Sequence, residues 1–130
     1  MKSVDIGIKS MSVVAALSLM LRRLRRNKMI QEDFDILVNK RLAECKKTLT
    51  AKTGIYASKK DRLHNFKIGA ALVRQTPEQY AMALATKHIV AIADKLVNKE
   101  VMSPDFVIEK MGDVINYMLL IEALNQEKLK

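Results

Sequence analysis

A chain of 130 residues is long enough to bury one core, and 49% hydrophobic with 28% charged residues is the balance of an ordinary globular protein. Four Gly and two Pro leave little room for a many-turned β sandwich, and the dominance of Leu, Ala, Lys, Met and Ile favours an all-α class. The single cysteine, Cys45, excludes an intramolecular disulfide and a Cys-based metal site within one chain, while a net charge of +9 raises the question of nucleic acid.

The placement of that charge argues against a dedicated nucleic-acid fold. Residues 1–28 hold seven Lys/Arg and one Asp, a net of +6, whereas residues 29–130 hold sixteen Lys/Arg and thirteen Asp/Glu, a net of +3. The chain therefore divides into a basic, apolar N-terminal extension over 1–28 and a domain over 29–130. In the extension, "MSVVAALSLMLRRLRRNKM" has an apolar run over 13–21 that ends in Arg22, Arg23, Arg25 and Arg26. It falls short of the roughly 18 apolar residues of a membrane span. A signal peptide would place a small-residue cleavage site after that run, not arginines. Three readings remain: an amphipathic helix on a membrane or partner, an ordinary first helix packed on the domain, or a loosely attached leader. The acidic front of "MIQEDFDILVNKRL" favours the last, because a helix starting there gains from negative charge in its first turn.

From Gln31 to near Lys52, Phe34, Leu37, Val38, Leu42, Cys45 and Leu49 recur at helical spacing. Gly54 and "GIYASKKD" break that helix, and a shorter one runs from near Asp61 to Arg74. The next is predicted from its cap: Thr76, then Pro77 at the first helical position, then Gln79 to complete a capping box, with the helix reaching Asn98. Ser103 and Pro104 repeat the signature and open a last helix that extends to Glu127. Four main helices with short connections suggest an antiparallel bundle. A reducing interior such as the cytoplasm suits the lone Cys45, which reads as an ordinary helix residue.

The last helix carries the polar residues that need a reason. In "IEKMGDVINYMLL", Glu109, Asp113 and Asn116 stack at i, i+4 and i+7 among Met111, Val114, Ile115, Met118, Leu119 and Leu120. Buried carboxylates require a cation, a donor network or a shifted pKa. One reading pairs Asp113 and Asn116 with Lys or Arg of a neighbour. The other makes Glu109 and Asp113 a divalent-cation site, since two carboxylates one turn apart suit Mg²⁺, with Asn116 touching a ligand. "YASKKDRLHNFK" clusters Tyr56, Asp61, Arg62, His64, Asn65 and Lys67 at a helix entrance, a place that gathers anions. "ATKHIVAIAD" adds Lys87 and His88, with Asp94 on the same side as Lys87, while Ala81, Ala83, Ala85, Ala91 and Ala93 permit close helix approach.

"DRLHNFK", "ALATKH" and "EKMGDVINYMLL", in that order, resemble small MazG-like proteins of bacteriophages and prophages over about residues 30–125. Such proteins resemble the all-α nucleoside triphosphate pyrophosphohydrolase superfamily, which contains MazG and the dimeric dUTPases. The resemblance implies a MazG-like helical bundle over 29–130, usually oligomeric, that cleaves nucleotides between the α and β phosphates. It further implies Mg²⁺ held by an ExxE motif and a later ExxD motif. "EKMGD" matches the later motif through Asp113, but its glutamate belongs at position 110, where this chain has Lys110, with Glu109 one position off. There is no clean ExxE upstream.

The expected function is thus Mg²⁺-dependent pyrophosphohydrolysis of a nucleoside triphosphate, with Mn²⁺ as an alternative metal, in a bacterial host cytoplasm. Glu109 and Asp113 form the catalytic pair and hold the metal, with Asp61 or Asp94 as further ligands. Lys87 and Arg62 contact phosphate, and His88 makes a phosphate or hydrogen-bond contact. Asn65 and Asn116 read base or sugar, and Tyr117 or Tyr56 stacks on the base. The alternative is a protein that sequesters a nucleotide or nucleotide signal without hydrolysing it, favoured by Lys110. A third reading is a helical interaction protein whose polar residues are structural. Apolar excess on the last helix points to a homo-oligomer, a dimer or higher. No specific nucleic-acid partner is expected. An accessory role at nucleic acid or membrane rests on residues 11–28 alone and ranks last.

Overall fold

The computed structural model describes residues 12–51 and 60–130, apart from the side chains of Arg25 and Arg26, and every regular element among them is helical. The chain divides into two compact units, Met1–Leu37 and Val38–Lys130, with the division inside one helix. In the first unit, α1 spans Val13–Arg26, opened by Ser12, whose Oγ accepts from the Ala15 N–H at 3.2 Å. The second helix, α2, spans Gln31–Ala51. It begins with Glu32 and Asp33 in its first turn, where the helix dipole favours them, and with a Gln31 amide donating to Asp35 at 2.7 Å.

The second unit contains the rest of α2, then α3 (His64–Leu72), α4 (Pro77–Val97) and a last helix in three parts. These parts are α5 (Pro104–Phe106), a π-helical turn (Val107–Met111) and α6 (Gly112–Glu127). Ahead of α3, Asp61 Oδ1 accepts from the Leu63 N–H at 2.9 Å and closes the turn. Thr76 and Gln79 make the reciprocal capping box expected of α4, and Ser103 Oγ accepts from the Phe106 N–H at 3.2 Å. Both α3 and α4 end on left-handed residues that are not glycine, Arg74 and Lys99, each at φ 55°. The following N–H groups, of Gln75 and Glu100, bond back to Ala70 and Lys95 at 2.9 Å, a six-residue closure that stops the helix.

Packing within this unit is closest between α4 and the last helix and between α3 and α4. Ala81 and Ala85 on α4 are wholly buried, small side chains that permit close approach of a neighbouring helix. Leu63, Ala81 and Leu124 form the innermost cluster, with Phe66, Leu120, Ile121 and Ala123 packed around it. The Lys95 ammonium sits 5.7 Å over the Phe106 ring and pairs with Glu100, fixing the far end of α4 against α5. Ala83 and Ala93 face outward instead, and so do Met118 and Leu119, so the apolar girdle of the last helix is only partly covered. Among the described residues, no large side chain is completely buried.

Two glycines have opposite reasons to be there. A Cβ on Gly69 would collide with the Tyr80 ring of α4, so this glycine is a close-approach site. A Cβ on Gly112 would meet nothing within 4 Å, and its backbone is ordinary right-handed helix. Gly112→Ala should therefore raise stability by up to about 1 kcal/mol through helix propensity. Gly69→Ala should lower it by about 1 kcal/mol or more and alter the tyrosine near-UV signal. Denaturant midpoints measured side by side check the opposite signs.

Candidate functional site

A cavity of about 470 Å³ opens in the second unit where α2, α3, α4 and α6 supply its walls. From α6 come Asp113, Asn116, Tyr117 and Leu120, the i, i+3, i+4, i+7 face of an α-helix. Arg62, Asn65 and Phe66 enter from the start of α3, Tyr80 and Leu84 from α4, and Thr48 and Leu49 from the end of α2. Five residues singled out from the sequence thus share one space: Arg62, Asn65, Asp113, Asn116 and Tyr117.

The Arg62 guanidinium donates to the Leu49 carbonyl at 3.2 Å, which ties the α3 entrance to α2 and leaves further N–H groups for a ligand. Tyr117 stands edge-on to Phe66, with ring centroids 6.5 Å apart at 89°, and lies 6.0 Å from the His88 ring. Burial raises its phenol pKa, with Asp113 adding to the shift. Asn116 is 6% exposed, and its Oδ1 is buried without a hydrogen-bond partner. An unsatisfied amide oxygen in such a wall costs about 1–3 kcal/mol unless something donates to it.

His88 stands behind the wall. It is 5% exposed, its Nε2 lies 3.5 Å from Asp113 Oδ2, and its Nδ1 has no hydrogen-bond partner. Asp113 therefore faces a histidine of α4, not the Lys or Arg that the simplest reading would give it. The neighbouring Lys87 is exposed on α4 and does not line the cavity, and neither does Asp94, which is also exposed.

Glu109 does not line the cavity with Asp113, although its charge still acts on His88. It belongs to the π-helical turn, where the Gly112 N–H reaches the Val107 carbonyl five residues back. That turn uses an extra residue, so α-helical spacing cannot be extrapolated across it. The Glu109 side chain is 63% exposed and pairs with Lys110 Nζ at 2.6 Å, which holds its carboxyl below the usual range. Asp61 is likewise engaged outside the cavity, with Lys67 Nζ at 2.8 Å, and the same lysine reaches Glu127 at 2.8 Å. Among the described residues, no three His, Cys, Asp or Glu side chains gather as a metal site. Tyr56 lies outside the described residues.

Sequence reasoning missed Tyr80, Leu84, Thr48 and Leu120 as lining residues, since each reads as an ordinary helix position. It also missed Arg41 on α2, whose Nη1 is buried without a hydrogen-bond partner. Arg41 acts on the Cys45 thiol in the opposite sense to Asp113, which sets both charges around the same buried sulfur. Burial prevails there and pushes the thiol up, away from the reactive thiolate. Its Sγ lies 3.8 Å from the Gly112 carbonyl, where α2 meets the start of α6.

Burial lowers the His88 pKa, opposed by Asp113 and Glu109 and assisted by Lys87 and Lys110. The unfolded chain then binds a proton at this site more readily than the native one, so stability falls as pH drops below the ordinary histidine value near 6.5. Unfolding midpoints taken between about pH 7 and pH 5 should decrease, and His88→Gln should flatten that decrease. Carboxylates held low, such as Glu109 and Asp61, lose their pairing only at more acid pH.

No protein family, curated protein or solved structure matches this chain.

Proposed function

We propose that the second unit binds a nucleotide in this cavity and holds it without efficient cleavage. The observation that carries the reading is the convergence of a guanidinium (Arg62), two amides (Asn65, Asn116) and aromatic rings (Phe66, Tyr80, Tyr117) on one space of about 470 Å³. That volume lies in the range of small-molecule sites. Arg62 suits a phosphate, the amides suit base or sugar edges, and the rings supply a stacking surface. Asn116 Oδ1, buried and unpaired, gains a partner if the ligand offers an N–H or O–H. The order of "DRLHNFK", "ALATKH" and "EKMGDVINYMLL" supports a MazG-like origin, with the antiparallel bundle, homo-oligomer and cytoplasmic setting that the resemblance implies.

Hydrolysis is the second reading, and Asp113 is the observation that favours it. One carboxylate in the cavity wall suits a Mg²⁺ or Mn²⁺ ion that arrives with phosphate oxygens and keeps its waters. The metal would neutralise phosphate charge and lower the pKa of a bound water. Binding ranks ahead of cleavage because Glu109 turns outward to Lys110, which leaves Asp113 without the second carboxylate that the expected scheme requires.

A panel of canonical and modified nucleotides, screened by thermal shift with and without Mg²⁺, should yield at least one that raises Tm. Arg62→Gln should weaken that ligand by about tenfold or more, as for loss of a charge-assisted hydrogen bond. The ligand should be recovered intact after denaturation. Release of monophosphate and pyrophosphate, abolished by Asp113→Asn, would establish the second reading in place of the first. No shift with any nucleotide would overturn both.

A further inference from the structure

We propose that α1 is a surface-lying membrane helix whose partner is an anionic lipid headgroup layer. Val13, Leu17, Met20, Leu21 and Leu24 fall at i, i+4, i+7, i+8 and i+11, one continuous apolar stripe. All five are exposed, Val13 at 75% and Leu17 at 50%. Helical spacing sets positions 22 and 26, both arginine, on the opposite side, with the arginines at positions 23 and 25 at the two flanks. Leu19 alone departs from the pattern. Between Asp5 and Glu32 the chain carries six Lys/Arg and no acidic residue.

Length, charge and stripe together select the partner. Fourteen residues make a helix about 21 Å long, too short for the roughly 30 Å hydrocarbon core. No described helix is long and apolar enough to cross a membrane. A nucleic acid would satisfy the arginines and leave the leucines in water. A second copy of α1 would cover the leucines and bring two cationic rows together. A bilayer surface with anionic headgroups answers both faces at once, apolar side chains among the upper acyl carbons and guanidinium groups at the phosphates. Each half of this binding is separately removable. Charge draws the chain to the surface and weakens with salt, and the stripe then holds it there.

The chain has no tryptophan, so Leu21→Trp places a single fluorescent reporter on the stripe. The full chain should float with phosphatidylcholine vesicles that contain phosphatidylglycerol and stay behind with phosphatidylcholine alone. The Trp emission should shift to the blue only in the first case. High salt, or Arg22→Glu with Arg23→Glu, should lower the partition coefficient about tenfold or more. Leu17→Glu with Leu24→Glu should abolish the blue shift with circular dichroism of the rest unchanged. Should the leucine variant misfold, the arginine pair, exposed and outside any core, carries the test alone. Three results would overturn the proposal. One is no flotation with anionic vesicles, and another is flotation indifferent to both variants. The third is a sedimentation mass of the native chain that doubles and falls back in the leucine variant without vesicle binding, which would assign the stripe to protein docking.

Discussion

The second unit depends on the contact between α4 and the last helix. Ala81 and Ala85 of α4 are completely buried, and small residues there let the helices approach closely. Because the helices are that close, His88, one turn beyond Ala85, is pressed against Asp113 and the Tyr117 ring. The cavity is what remains on the other side of Tyr117 once that contact is made, closed by α3 and the end of α2. A close helix pair of small residues thus produces a polar site beside it.

The π-helical turn has a second effect on the same helix. It lies immediately before Gly112 and separates two stretches with different registers. After it, Asp113, Asn116, Tyr117 and Leu120 present one face to the cavity. Within it, Glu109 turns to solvent and finds Lys110. Asp113 therefore lines the cavity, while Glu109, within the turn, lies on the exposed surface beside Lys110. This is the physical origin of a site with a single carboxylate in its wall, and it orders the two readings of function.

Local chemistry explains how much the sequence disclosed. Caps are local, so Thr76, Pro77 and Gln79 fixed the start of α4 and Ser103 with Pro104 that of α5. Two signals pointed to the cavity: the polar cluster at the α3 entrance, which supplies Arg62 and Asn65, and the polar positions of the apolar last helix, which supply Asp113 and Asn116 with Tyr117 beside them. What stayed hidden was set by tertiary contact. No residue type marks a π-helical turn, and Tyr80 enters the wall only because Gly69 lets its ring lie against α3. Lys87 and His88 adjoin in sequence yet part in space, one to solvent and one to the interior. Arg41 gave no sign at all, because an arginine on an amphipathic helix is ordinarily a solvated one.

The near absence of completely buried large side chains has a thermodynamic consequence. Heat capacity on unfolding scales with the apolar area newly hydrated, at about +0.45 cal/K/mol per Å². A core built from alanines, two buried leucines and one cysteine, ringed by partly covered side chains, hydrates little that was dry before. The stability of the second unit should therefore vary gently with temperature, its curve a low, broad dome rather than a sharp one. A bound ligand that fills the cavity would raise that curve by an amount set by its concentration relative to its Kd.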